Sequence, residues 1–501
     1  MSDGTAASFA EGSAPDQASS TPLHMLDAAA QARLVREGGA TATRLVEAAL
    51  TRIDAVNPAV NAIVRRMDDE ALAAAAAADR AVAGGQPIGP LHGVPVTIKI
   101  NIDQQGHPTD NGTAVYRDLI APADNPVVAN LKRAGAIVVG RTNAPVYSMR
   151  WFTDNTLHGP TYNPWHRDLT VGGSSGGAAA SVATGMVAIA HGNDIGGSVR
   201  FPAMCNGLVG LRPSYGRVPS FNATAKGGGS VAAQLMAVQG PLARTVRDTE
   251  TAFRVMAVPH VDDPRTRPMA GDRPVADHPA VPRRAAVVST AGWPDCHPAV
   301  SGAVDRAATA LAAAGWAVEE VVPPALDEIH DMWAEICIPD IMTLLAPAIA
   351  AAGDENIRTA VDYWQRAWPR QLTAGDALAA VARRHGMLRL WQRFFEAWPV
   401  LVMPVSLEPA FHRLADVRSP EDARRIMRAQ GPLMVISVLG LPGLSVPTGL
   451  AGFNVEGHDV TMPTGVQLVA APEREDLCFA AGRDVEAAMP RLGVVDPRPG
   501  F

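Results

Sequence analysis

Lysine is almost missing from this 501-residue chain. Of 43 basic side chains only Lys99, Lys132 and Lys226 are lysines, and arginine supplies the other 40. No basic tract suited to phosphate appears, and 50 acidic side chains leave a net charge of −7, which argues against nucleic acid as the main partner. Cysteine is scarce as well. Cys205, Cys296, Cys337 and Cys478 form no C-x-x-C pair and no metal-ligand spacing. That usage points to a reduced, cytoplasmic protein and excludes a disulfide scaffold. No metal or cofactor is expected. Residues 1–20 lack the basic start and apolar stretch of a signal peptide and read as a disordered tail. One uncharged run, Ala429 to Leu450, has the length of a membrane span. Its Pro432, Pro442 and Pro447 make it a buried helix followed by a strand, so no membrane anchor is expected.

What the chain does have is apolar material with mixed periodicity. It is 47% hydrophobic and 19% charged, enough to exclude a disordered chain and to bury a large core. Length alone would allow three domains. Leu23, Leu26, Ala30 and Leu34, then Leu45, Ala49 and Ile53, recur at helical spacing, with Gly38-Gly39 as the break and Asn57-Pro58 as the stop. Ala71 to Ala83 reads as an alanine-rich helix. Gly93 to Ile98 reads as a strand with Lys99 at its end. Helix-then-strand alternation recurs at 127–140 and 300–322, which predicts an α/β sheet covered by helices. Residues 259–282 read as a surface excursion. Tryptophans cluster in a helical stretch, as Trp333, Trp364, Trp368, Trp391 and Trp398. They read either as packing anchors or as walls of an apolar substrate pocket.

Residues 171–202 hold two glycine-framed serine sites, Gly172-Gly173-Ser174-Ser175-Gly176-Gly177 and Asp194-Ile195-Gly196-Gly197-Ser198. Ala178 to Thr184 suits a helix and Met186 to Ala190 a buried strand. The first serines would enter a helix and the second site would leave a strand. Both are places where unpaired backbone N–H groups face a developing negative charge. A linker is the ordinary reading of such a run, but linkers do not lead straight into apolar elements. Neither a Walker loop nor a dinucleotide fingerprint fits. G-x-S-x-G occurs twice, centred on Ser174 or Ser175, so a nucleophile elbow is a rival, although only Leu169 to Val171 could form its strand.

A serine nucleophile needs a base. His158 and His191 lie near in sequence, and lone histidines usually serve packing. Lys99 is the more informative candidate, because arginine is never deprotonated in practice whereas a buried lysine can be. A lysine ending an apolar strand, in a chain that avoids lysine, points to proton transfer.

The order Lys99, GGSSGG, DIGGS resembles the amidase signature family of serine hydrolases. GVPVTIK is similar to the family's strand ending in its lysine, VGGSSGGAAASVATG to its signature loop and helix, and GNDIGGSVRFPA to its nucleophile segment. AGAIVVGRTNAP, VGLRPSYGRVP, GPLARTVRDTE, GLPGLSVPTG and MPTGVQLVA extend the likeness over residues 25–490. The resemblance implies an α/β fold, a single α/β/α domain over residues 21–501 with a large mixed β-sheet covered by helices, and a tryptophan-rich substrate-side segment around 331–398. It implies Ser198 as nucleophile, Ser174 as a bridging serine after a cis peptide bond and Lys99 as the base. An oxyanion hole from the N–H groups of Ile195, Gly196, Gly197 and Ser198 is also implied. Gly173, Ser175, Asp194 and Arg200 are expected to support these. Met149–Asn155, Phe221–Gln234 and Asp331–Trp398 are expected near the substrate.

Several positions depart from the family pattern. Ile100 replaces its usual Asp, Asn193 its common Thr, Arg141 a frequent lysine and Val146 a frequent glutamate. The HGND form is similar to the branch containing 6-aminohexanoate cyclic-dimer hydrolase. The expected activity is hydrolysis of a small, apolar aryl or alkyl amide or carbamate through an acyl-enzyme. A glutaminase subunit of a tRNA-dependent amidotransferase is the alternative. Expected partners are limited to that small-molecule substrate, with a homodimer left open.

Overall fold

The computed structural model describes residues 21–225, 227, 229–266, 281–288, 293 and 295–500. The expected tail at 1–20, Lys226 and most of the 259–282 excursion lie outside the described residues. Among the described residues eleven strands make one sheet. They are β1 (Ile63–Arg66), β2 (Pro95–Lys99), β3 (Ile137–Thr142), β4 (Ile189–Asp194), β5 (Val209–Arg212), β6 (Val238–Ala243), β7 (Arg284–Val288), β8 (Ala317–Val321), β9 (Val400–Pro404), β10 (Gly443–Val455) and β11 (His458–Ala470). Their order is β1-β3-β2-β4-β6-β5-β10-β11-β9-β7-β8. β2 runs parallel to both β3 and β4, β4 is antiparallel to β6, and β10 with β11 forms a long antiparallel hairpin. The sheet is mixed, as the resemblance implied.

Helices cover both faces. β2 shows how the two cores are divided, because its side chains alternate between them. Val96 and Ile98 join the core under the Pro126–Arg133, Val246–Met256 and Pro298–Ala313 helices. Thr97 points the other way, its Oγ1 3.2 Å from Ser181 Oγ in the Gly176–Ala183 helix, and Lys99 follows it. Every β2 residue is buried, as a central parallel strand requires.

Three sequence expectations shift. The helix after Gly38-Gly39 does not stop at Asn57-Pro58 but spans Ala42–Val60. Pro58 costs only the donor to the carbonyl of Asp54, which lies on the exposed side, and Asn57 Oδ1 accepts from the N–H groups of Ala62 and Ile63 to close the end. Gly176 and Gly177 belong to the helix, not to the loop. The strand expected at 186–190 forms at Ile189–Asp194, because His191-Gly192-Asn193-Asp194 pairs residue by residue with β6. Tertiary pairing outweighs the weak strand propensity of Gly, Asn and Asp.

The uncharged run at 429–450 is a fully buried helix, Gly431–Leu439, leading into β10. Among the described residues another helical run, Leu326–Ala352, is long and apolar enough to cross a membrane, with 44% of its most apolar window buried inside the protein.

Candidate active site

Parallel pairing of β2 with β4 brings their carboxyl ends together, the edge where open α/β sheets hold ligands. Lys99 ends β2, and Asn193 and Asp194 end β4. The turn carrying Ser174 and Ser175 enters the Gly176–Ala183 helix above them. Its Gly173–Ser174 peptide is cis. Residues 169–171 form no strand beyond one isolated bridge from Leu169 to His412, so the strand that a nucleophile elbow needs is missing there. The Ser175 N–H donates to the Ser198 carbonyl at 3.2 Å, which ties the two serine sites together.

Lys99 is wholly buried. Its Nζ lies 2.7 Å from Ser174 Oγ, 2.7 Å from Asn193 Oδ1 and 3.1 Å from Ser175 Oγ. Among the described residues no carboxylate touches it. Burial therefore pushes the amine well below the usual lysine range, and the more distant charge of Asp194 opposes this only in part. The three neighbours can all be met by the neutral amine that burial favours, which has two N–H bonds and one lone pair. Asn193 Oδ1 is only an acceptor and takes one N–H. Ser175 Oγ takes the other and donates its own hydrogen to the Asn193 carbonyl at 3.3 Å. The lone pair is left facing the hydroxyl of Ser174. Asn193 Nδ2 is held in turn by Asn101 Oδ1 at 2.9 Å, which fixes which end of the amide faces the lysine.

Asn193 is thus a site residue that sequence reasoning noticed only as a departure. Its signal was available: an amide oxygen next to the nucleophile segment, in place of a hydroxyl that both donates and accepts. The histidines take other work. His191 is buried, its Nδ1 accepting from the Lys99 backbone and its Nε2 2.8 Å from Gln239 Oε1, and burial lowers it to about 3. His158 pairs with Asp110. Neither histidine hydrogen-bonds a serine.

Ser198 is 5% exposed on the loop between β4 and the Arg200–Asn206 helix. Asp194 braces that loop, accepting from the N–H groups of Gly197 at 2.9 Å and Val199 at 3.1 Å, from Arg200 Nη2 at 2.9 Å and from Arg212 Nη1 at 3.3 Å. Burial alone would raise this carboxyl. The charges of Arg200 and Arg212 outweigh it and hold the group far below the carboxylate range. The N–H of Gly197 is therefore engaged in the brace and does not face the cleft, which amends the four-donor set expected from the resemblance. Among the described residues, the N–H groups of Ile195, Gly196 and Ser198 carry no hydrogen bond.

Glycine is required where the serine turns close. A Cβ on Gly173 would stand 2.5 Å from the backbone of Trp151, and one on Gly197, at φ +108°, 2.4 Å from Leu433. Arg141, at a frequent family lysine, is buried and donates to the carbonyls of Pro108, Ile100 and Ile102, holding the segment after Lys99. The tryptophans divide. Trp333 donates to the Ile195 carbonyl and packs 5.8 Å from Trp151, which itself stands 6.0 Å from Trp364. Trp391 bonds the Pro324 carbonyl in the core, and Trp398 lies under Arg284. Trp368 stacks on His330 in the wall of a 650 Å³ cavity whose lining includes neither Lys99 nor the serines. No set of three metal-ligating side chains stands together among the described residues.

A buried amine on a serine, a second serine beside it and a loop of unpaired N–H groups make up the equipment of acyl transfer. The chain belongs to the amidase family: the model described as Amidase matches residues 44–479. It is an amide hydrolase of that family. An indoleacetamide hydrolase of Bradyrhizobium diazoefficiens is 42% identical over 484 residues, 95% of this chain and 88% of that protein. A glutamyl-tRNA(Gln) amidotransferase component from Symbiobacterium thermophilum is 32% identical, over 89% of this chain and 93% of that protein. The solved structure of 6-aminohexanoate cyclic dimer hydrolase with substrate superposes with a TM-score of 0.79 at 28% identity, covering 95% of this chain and 99% of that one.

Proposed function

We propose that the protein hydrolyses a small apolar aryl or alkyl amide through an acyl-enzyme on Ser198. The observation that carries the mechanism is the fully buried Lys99 amine, 2.7 Å from Ser174 Oγ, pushed well below the usual lysine range by burial and with no carboxylate in contact among the described residues. Lys99 Nζ takes the Ser174 proton as Ser174 Oγ takes that of Ser198, and Ser198 Oγ bonds to the amide carbon. The charge gathering on the carbonyl oxygen faces the free N–H groups of the Ile195–Ser198 loop. Losing one such donor costs ~10²–10³ in rate. The Lys99 ammonium then returns its proton through Ser174 to the amide nitrogen, the C–N bond breaks and the amine leaves. Water enters, gives a proton to the same relay and bonds to the acyl carbon; the relay returns that proton to Ser198 Oγ as the acyl C–O bond breaks, which frees the serine and the carboxylic acid.

Two features favour an aryl acyl group. The indoles of Trp151 and Trp333 bond the nucleophile loop and a third, Trp364, packs on Trp151, and the relative sharing 42% identity is an indoleacetamide hydrolase. The glutaminase reading is supported by a more distant relative, at 32% identity. The test is a panel of indoleacetamide, phenylacetamide, an aryl carbamate and glutamine given to the purified chain. Hydrolysis of the arylacetamides with fluorophosphonate labelling of Ser198 is expected. Turnover of glutamine alone, or full activity in Ser198→Ala, overturns the proposal.

A further inference from the structure

We infer that Trp333 is a positioning residue whose indole N–H aims the free backbone donor of Gly196, with Trp151 fixing the next peptide unit of the loop; this rests on the proposed acyl-enzyme reading. Trp151 Nε1 donates to the Gly196 carbonyl at 2.8 Å, and Trp333 Nε1 to the Ile195 carbonyl at 3.2 Å. Two consecutive peptide units are therefore gripped by two indoles. A peptide unit is planar and trans, so its carbonyl and its N–H point in opposite directions, and fixing one fixes the other.

The two units differ in a telling way. In the Gly196–Gly197 unit both ends are occupied, the carbonyl by Trp151 and the N–H by Asp194. In the Ile195–Gly196 unit only the carbonyl is held, by Trp333, and the Gly196 N–H opposite it is free. Trp333 thus sets the direction of an unpaired donor without occupying it. Glycine at 196 makes such control necessary, since a peptide that ends on glycine meets less steric resistance to flipping. A Cβ on Gly196 would stand 3.0 Å from Trp333 Cζ2, so any larger residue there would push the ring by a few tenths of an ångström. Trp151 joins the two serine sites: its backbone lies against Gly173 while its ring holds Gly196. Mutual packing of the rings holds the indoles in turn. A donor already aimed at the nascent alkoxide need not reorganise during reaction, and this is where electrostatic catalysis gains most.

Trp333→Phe keeps a ring and removes the N–H. The expected result is a fall in kcat of ~10–100-fold with KM changed less than about 3-fold, and an unmoved acidic limb of the pH profile, since Lys99 is untouched. Affinity for phenylacetaldehyde, which adds Ser198 Oγ to form an oxyanion, should fall in step with kcat/KM, while affinity for phenylacetate should not. Trp151→Phe, whose peptide unit already has its N–H taken by Asp194, should lower kcat less than Trp333→Phe does. Trp391→Phe, the same change at a wholly buried tryptophan bonded to Pro324, is the comparator and should leave kcat within about 2-fold. Should Trp333→Phe fold poorly, 3-benzothienylalanine at position 333 gives the indole shape without the N–H. The inference is overturned by unchanged kcat and aldehyde affinity, or by equal losses in Trp391→Phe. Fluorophosphonate labelling separates the two claims: wild type unlabelled at Ser198 removes the acyl-enzyme reading, whereas labelled variants with full kcat remove only the indole grip.

Discussion

Two buried basic environments lie on neighbouring strands and handle charge in opposite ways. At Asp194, Arg200 and Arg212 meet a carboxylate that also gathers backbone N–H groups, so permanent charges of opposite sign attract and lock a loop. At Lys99 the partners are two hydroxyls and an amide oxygen, none of them charged. The same degree of burial thus yields a rigid ion cluster in one place and an amine pushed well below the usual lysine range in the other. What differs is the counter-ion. Arginine suits the first task, since its fork satisfies several acceptors and never loses its proton; only lysine suits the second. Arg141 fits the same division, because its work is to donate to three carbonyls.

Substituting across that division gives the largest expected effect. Lys99→Arg retains charge but cannot become neutral, and kcat/KM should fall ~10³–10⁴-fold, close to Ser198→Ala, in a steady-state assay on the best amide of the panel. Breaking the ion cluster should act on stability instead. Asp194→Asn leaves two buried guanidiniums facing no anion and should cost about 3–5 kcal/mol in urea unfolding. Asn193→Asp converts the lysine site into an ion pair. A carboxylate 2.7 Å from Nζ should raise the acidic limb of kcat/KM by ~1–3 pH units and depress activity at neutral pH. The smallest effect belongs to Asn193→Thr, which keeps an acceptor of variable direction and should cost only ~3–10-fold in kcat.

The lowered Lys99 also fixes the sign of a stability effect. Below the ordinary lysine value of about 10.4 the unfolded chain carries this proton and the native protein resists it. Stability should therefore rise with pH from the native value of Lys99 up to about 10.4, and acidification should cost both stability and activity. Lys99→Met should flatten that contribution in pH-dependent melting.

Much of this was legible in the chain, and for physical reasons. Lys99 stood out because a composition so poor in lysine makes each remaining one informative, and Ser174 and Ser198 because glycine-framed serines next to apolar elements suit few other purposes. The β2–β3 unit followed from periodicity. What was not legible depends on approach between distant segments. The contacts of Trp151 and Trp333 with Gly196 and Ile195 join residues 45 and 138 positions apart. No local pattern separates these two indoles from Trp391, which packs in the core. The engagement of the Gly197 N–H by Asp194 follows from a turn closing back over three residues, and a motif match treats all the loop's N–H groups alike.

The central claim is that Lys99 is neutral when the enzyme works. Three lysines make it directly measurable, because lysine labelled at ¹³Cε gives three signals, and Lys99→Arg identifies the one that matters. A Lys99 signal in its neutral form at pH 7, titrating well below 10.4 and in step with the acidic limb of kcat/KM, is the predicted result. A signal that remains protonated at pH 7 and titrates near 10.4 in the active enzyme would contradict the account.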